Sequence, residues 1–110
     1  MAEEKLRKLS TDIAVDAIRL CNSIKGHTVF SNEVERSASA IGVNIAKAGC
    51  TDGISARNIL LHNALMECCA TEYYAEVLGT SGLAGEEAAA LGKAAAEIHS
   101  LLDSLLSTAL

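Results

Sequence analysis

Seven side chains of this 110-residue sequence carry an imidazole or a thiol, groups that can bind a metal ion or act as a nucleophile. They are three histidines and four cysteines, His27, His62, His99, Cys21, Cys50, Cys68 and Cys69. A di-iron site in a helical bundle uses a Glu-x-x-His motif on two helices, and the nearest fragment here, Glu97-Ile98-His99, is one residue too short. Cys-x-x-Cys, His-Glu-x-x-His and P-loop motifs do not occur. The spacing therefore predicts no metal ligand and no cofactor-binding residue.

Nucleophilic catalysis has equally little support in the sequence. A Cys–His pair can meet in space without any sequence signature, but nothing around any of the cysteines indicates one. Small hydrophobic thiols are common in protein cores. We therefore interpret the four cysteines as buried residues of a protein in a reducing compartment, and we predict no catalytic residue.

Three glutamates, Glu67, Glu72 and Glu76, lie in a largely apolar segment. Glu72 and Glu76 continue a helical row of apolar residues, so each carboxylate lies at the rim of a core or is paired. Arg36 is a candidate partner. Two interpretations stay open: a solvated face, or an ion pair between helices or subunits.

The composition predicts the elements that carry these side chains. Half of the residues are apolar, only three are aromatic, and proline is absent, which is typical of an all-α protein. Apolar periodicity predicts helices at about 11–25, 32–50, 56–79 and 86–108, with Ser10 or Thr11, Ser31 and Ser55 as caps. Short connections predict an antiparallel up-down-up-down four-helix bundle, a single domain over 1–110.

The second predicted helix contains many small residues. Gly42 lies four residues after Ala38 and four before Ala46, so the three form a ridge that another backbone can approach. Asn44 is expected to hydrogen-bond across helices. The third predicted helix is apolar on nearly every side, which indicates packing from several directions. We expect one of these sides to face another subunit.

The net charge of −5 is unevenly distributed. Residues 1–57 have a net charge of +1 and residues 58–110 a net charge of −6. Proteins that bind nucleic acid usually have a basic balance, so the acidic total disfavours this function; the candidate contacts are Lys5, Arg7 and Lys8. Without a membrane span or a signal sequence, we expect a cytoplasmic protein.

Two stretches together resemble one bacterial family. RSASAIGVNIAKA (36–48) resembles the Arg-Ser-x-x-Ser-Ile-Gly-x-Asn-Ile-Ala-x-Ala motif of the proteins encoded in 23S rRNA intervening sequences, and ALMECCATEYYAEVLGTSG (64–82) is similar to the third helix of that family. The resemblance extends from about Asp12 to the C-terminus. Lys47 departs from the family, which more often has Glu there, and the second half has few basic residues.

The resemblance implies a four-helix bundle that assembles as a homopentamer and has no enzymatic activity. It also implies packing or assembly roles for Arg36, Ser37, Ser39, Ile41, Gly42, Asn44, Ile45, Glu67, Glu72 and Tyr73. A relative in the same superfamily, the accessory variability determinant of diversity-generating retroelements, is a basic pentamer that binds a reverse transcriptase and nucleic acid.

We therefore predict a non-catalytic, homo-oligomeric scaffold or binding protein, with a protein partner as a further expectation. The alternative is an RNA- or DNA-binding protein that acts with a reverse transcriptase. An enzyme is a third, more distant alternative, and a deep polar pocket containing His62 or Cys68 would support it.

Overall fold

Four α-helices form the fold: α1 (Ala2–Asn22), α2 (Thr28–Gly49), α3 (Ile54–Ser81) and α4 (Gly85–Thr108). The structure is a computed structural model that describes residues 2–24 and 26–108, and all regular structure in those two ranges is helical. Lys25, where the first helix was predicted to end, and residues 1, 109 and 110 of the predicted domain lie outside these ranges.

The helices form a closed bundle in which sequence neighbours pack together. Helix α3 packs against α2 and α4, and α1 packs against α2 and α4. Helices α1 and α3 are therefore diagonal to each other, as are α2 and α4. This arrangement confirms the predicted four-helix bundle. None of the four described helices has the length and apolar character that a membrane span requires.

Helix α1 begins nine residues before the predicted start at Thr11, and this prediction was wrong. Leu6, Ile13 and Leu20 are seven residues apart and are all buried, so the apolar stripe extends into the charged N-terminal segment. Ser10 does not cap the helix but lies inside it, where its hydroxyl donates to the Arg7 carbonyl at 3.0 Å. Glu3 and Glu4 occupy the first turn, where the helix dipole favours negative charge.

The other predicted caps are also inside helices. Helix α2 follows His27 and α3 follows Gly53, and neither residue makes a side-chain cap hydrogen bond. Ser31 and Ser55 therefore do not cap these helices. At the other end of α3, Gly82 has a φ of 78° and donates its N–H to the carbonyls of Leu78 and Gly79. Glycine adopts this left-handed conformation at little cost.

Helices α1 and α2 approach closely at Gly42. A Cβ atom on Gly42 would lie 3.3 Å from Ser10 Oγ and 3.7 Å from the Ser10 carbonyl oxygen. The absence of a side chain on Gly42 and the small side chain of Ser10 together allow this approach. Glycine lowers intrinsic helix stability by about 1 kcal/mol, and close packing against α1 offsets that cost.

Candidate functional site

The arginine of the small-residue motif links α2 to α3. The Arg36 guanidinium contacts Glu67 Oε2 at 3.1 Å and Glu33 Oε1 at 3.2 Å. Hydrogen bonds to Glu67 and then to Glu33 raise the pKa of Arg36 above its ordinary value. The Glu67 side chain is only 23% exposed, against 52% for Arg36. Of the two interpretations for the acidic residues, Glu67 thus fits the ion pair between helices.

A buried pair of hydroxyl groups lies next to this ion pair. Thr71 Oγ1 lies 3.0 Å from Ser37 Oγ, and both residues are fully buried. Each hydroxyl also has a carbonyl partner in its own helix. Ser37 Oγ lies 3.2 Å from the Val34 carbonyl oxygen. Thr71 Oγ1 lies 2.8 Å from the Glu67 carbonyl oxygen. The pair satisfies its polar groups without water.

The remaining motif residues serve the core or their own helix. Ile41 and Ile45 are buried in the core. Ser39 is exposed, and its hydroxyl donates to the Glu35 carbonyl at 2.6 Å. The predicted cross-helix bond of Asn44 is not formed: its amide donates to the Ala40 carbonyl of the same helix at 2.9 Å. A polar side chain in a helix readily finds a carbonyl one turn earlier, and that local partner competes with a distant one.

An exposed apolar row runs along the outer side of α3. It consists of Ile59, Met66 and Tyr73, which are 64%, 49% and 62% exposed. The three residues are seven positions apart, so they share one helix face. The opposite side of α3 contributes Leu61, Leu65 and Cys68 to the core. The all-round apolar character of this helix thus results from one buried and one exposed surface.

A second exposed apolar pair lies on the diagonal helix. Val15 and Ile18 of α1 are exposed. They are three residues apart in the helix and therefore share its outer face. Because α1 and α3 are diagonal in the bundle, this pair and the α3 row lie on different sides of the molecule. Large exposed apolar groups on a small protein typically mark interaction surfaces.

A polar cluster joins α3 to α4. His99 Nδ1 lies 2.8 Å from Glu72 Oε2, and His99 Nε2 lies 3.4 Å from Asp103 Oδ2. Cys69 is exposed next to this pair, and one potential ligand atom from each of Cys69, Glu72 and His99 lies within 4.8 Å of the others. Sequence spacing did not find this cluster, because Glu72 and His99 are 27 residues apart on two helices. Glu76, the third glutamate, is exposed.

The cysteines divide into two classes, which corrects the prediction that all four are buried. Cys21 and Cys68 are buried, whereas Cys50 and Cys69 are exposed. Burial raises the pKa of the Cys68 thiol to about 12, so this thiol stays protonated. Adjacent residues in a helix point about 100° apart. Cys69 therefore points away from the core that encloses Cys68.

The candidate nucleic-acid contacts lie near one end of the bundle and have acidic neighbours. Lys8 Nζ lies 3.1 Å from Asp12 Oδ2, and Lys5 Nζ lies 4.0 Å from Glu97 Oε2. Arg7 lines a groove of about 230 Å³ at this end, where Arg57 and Glu3 form an ion pair. These contacts give the end a mixture of both charges.

Neither a protein-family model nor a curated protein matches the sequence. The fold, however, closely matches a crystal structure of a protein of unknown function from the S23 ribosomal protein family of Bacteroides thetaiotaomicron. The TM-score is 0.88, the identity is 27%, and the match covers 97% of this chain and 99% of that chain. Because the function of that protein is unknown, the comparison assigns no activity to this chain. Together with the motifs of α2 and α3, this match makes the chain similar in fold and in sequence to a protein of the S23 ribosomal protein family, that of the 23S rRNA intervening-sequence proteins.

Proposed function

We propose that this protein is a non-catalytic scaffold that assembles with copies of itself into a closed ring, in which a pentamer is the favoured form. The exposed row of Ile59, Met66 and Tyr73 on α3 carries this proposal. An apolar row with a seven-residue repeat is typical of a helix that packs against another helix. Burial of the row against a neighbour would remove large apolar side chains from water.

The two apolar surfaces support a second copy of the chain as the neighbour. The α3 row and the pair Val15 and Ile18 lie on different sides of the bundle, so one copy can present α1 to the α3 of the next. Such a head-to-tail contact repeats around a ring until it closes.

Size-exclusion chromatography with light scattering tests the assembly. A pentamer of the 11.4 kDa chain has a mass of about 57 kDa. Met66→Glu and Ile18→Glu should each reduce this mass, because a charge would enter an apolar contact. Val29→Glu is the matched control, since Val29 is also exposed but belongs to neither surface. A wild-type monomer at micromolar concentration would contradict the proposal.

Mixing the two variants tests the head-to-tail geometry itself. The Ile18→Glu chain keeps its α3 row, and the Met66→Glu chain keeps its α1 pair. An equimolar mixture should therefore form a dimer of about 23 kDa, while each variant alone stays at the 11.4 kDa of one chain. A mixture that contains only monomers would show that the two surfaces do not bind each other.

Nucleic-acid binding is the second candidate function. Its support is the placement of Lys5, Arg7, Lys8 and Arg57 around one end of the bundle. The contacts of these cations with Glu3, Asp12 and Glu97 weigh against it. Binding of RNA through phosphates would weaken steeply as salt increases. If RNA does not bind at low salt in a filter assay, this candidate is excluded.

A further inference from the structure

The cluster between α3 and α4 brings three different metal-binding groups together. Cys69 and Glu72 are three residues apart on α3 and therefore share a face, and His99 reaches them from α4. One ligand atom from each residue lies within 4.8 Å of the other two. The thiol side chain is exposed and the other two are about one-third exposed, so an ion from solvent can reach all three.

We propose that Cys69, Glu72 and His99 form a binding site for a divalent transition-metal ion of the zinc type. Thiolate, imidazole and carboxylate are the three side-chain donors that bind zinc in proteins. Magnesium and calcium prefer sites made of oxygen atoms alone, so the sulfur and nitrogen donors select against them. All three donors belong to one chain, so the site does not depend on the assembly proposed above.

The three ligand atoms need to move only slightly to surround an ion. Bond lengths of about 2.0–2.3 Å place the ligand atoms of a tetrahedral zinc ion about 3.3–3.8 Å apart. His99 Nδ1 and Glu72 Oε2 are already closer than this, at 2.8 Å, and an ion between them would separate them slightly. The exposed Cys69 side chain can move without disturbing the core.

Asp103 supplies the supporting interaction that metal-bound histidines typically have. Its carboxylate lies 3.4 Å from His99 Nε2, the ring nitrogen on the side opposite to Glu72. When Nδ1 binds a metal ion, Nε2 carries the proton, and this N–H can donate a hydrogen bond to the Asp103 carboxylate. Carboxylate–histidine–metal arrangements orient the ring and strengthen the ligand. Asp103 is therefore a positioning residue in this site.

The charge of the cluster also favours a cation. Glu72 and Asp103 place two carboxylates around one histidine and one thiol. Burial and then these two carboxylates raise the pKa of the Cys69 thiol above its ordinary value. A divalent cation reverses this effect, because it stabilises the thiolate directly. Three protein donors leave the fourth tetrahedral position for water or for a group from another molecule.

Cobalt(II) is the probe for the site, because its bond to a thiolate gives a charge-transfer absorption band. The full chain, reduced and stripped of metal with a chelator, is titrated with Co²⁺. We expect the band to saturate at one ion per chain, to disappear when Zn²⁺ is added and to persist in excess Mg²⁺. No band, or displacement of Co²⁺ by Mg²⁺, would overturn the proposal.

Matched variants assign the ligands. Cys69→Ser and His99→Asn should abolish the band, whereas Cys50→Ser and His62→Asn, which change an exposed cysteine and an exposed histidine elsewhere, should keep it. Asp103→Asn should weaken Co²⁺ binding by about 10- to 100-fold. Far-ultraviolet circular dichroism checks that each variant is helical, and Cys69→Ala replaces Cys69→Ser if that variant unfolds. A band that survives loss of Cys69 but not of Cys50 would contradict the assignment.

Discussion

The contacts of α2 and the cluster between α3 and α4 differ in their exposure to solvent. Around α2, Gly42 lies against Ser10 of α1, and Ser37 meets Thr71 of α3 in the core. Ser10, Ser37 and Thr71 are buried, and each of their hydroxyl groups has a hydrogen-bond partner. Between α3 and α4, His99 and its acidic neighbours remain partly exposed, and an exposed thiol lies next to them.

The difference indicates which part of the molecule determines stability and which part is available for chemistry. Adding or removing a single group at a closely packed position lowers the free energy of unfolding, because the surrounding side chains cannot relax around the change. Exposed polar groups contribute little to stability, since water replaces their partners. Substitutions in the α2 contacts should therefore destabilise the fold, whereas those in the α3–α4 cluster should mainly change reactivity.

The largest effect is expected for Gly42→Leu. A Cβ atom at this position already lies 3.3 Å from Ser10 Oγ and 3.4 Å from Ser10 Cβ, and leucine adds three more carbons. We expect a loss of about 1–3 kcal/mol in the free energy of unfolding, even though leucine is the better helix former. Urea denaturation monitored by circular dichroism measures the loss.

Gly79→Leu is the control for this substitution. Gly79 is also helical, and a Cβ atom there has no neighbour within 4 Å. The same change should leave stability unchanged or raise it by up to about 1 kcal/mol through helix propensity. Equal effects at the two glycines would show that the approach of α1 to α2 does not constrain position 42.

The next effect is expected for Thr71→Val, which removes a buried hydroxyl while nearly preserving volume. Ser37 keeps a partner in the Val34 carbonyl at 3.2 Å, so no buried donor loses all its partners. The cost should therefore be about 1 kcal/mol, as measured by urea denaturation. Thr11→Val is the matched control, because the exposed Thr11 hydroxyl also donates to a carbonyl of its own helix, and it should be nearly neutral. A cost equal to that of Thr11→Val would mean that the contact between Ser37 and Thr71 does not stabilise the bundle.

Arg36→Ala should have a smaller effect, although Arg36 links two helices. The guanidinium is about half exposed, and exposed ion pairs contribute about 0.2–1 kcal/mol. The loss should shrink in high salt, because salt screens charges at the surface. Arg36→Lys keeps the charge but cannot bridge both carboxylates as a planar guanidinium does. Its stability should therefore lie between that of the wild type and that of Arg36→Ala. A loss of 3 kcal/mol or more would show that Glu67 behaves as a buried charge.

The contacts of α2 could be predicted from the sequence better than the cluster between α3 and α4. Apolar spacing predicted four helices, and the small-residue motif pointed to α2 as a packing helix with Arg36 as a partner for an acidic residue. Helical periodicity did not predict the cluster of Cys69, Glu72 and His99, because it depends on how α3 and α4 are aligned. The start of α1 was missed because charged residues around Leu6 masked a buried position.

The smallest effect concerns the reactivity of Cys69. Iodoacetamide should modify Cys50 and Cys69 in the folded, reduced and metal-free protein, whereas the buried Cys21 and Cys68 should be protected. Thiolate is the reactive form, and the carboxylate of Glu72 is one of the groups that raise the pKa of Cys69. Glu72→Gln should therefore speed alkylation of Cys69 at pH 8 on the order of two- to five-fold. Mass spectrometry follows both exposed thiols in one sample, so Cys50 is an internal control. An equal change in the alkylation rates of Cys50 and Cys69 would show that Glu72→Gln alters the whole fold. The reactivity of Cys69 would then not be determined by its neighbours in the α3–α4 cluster.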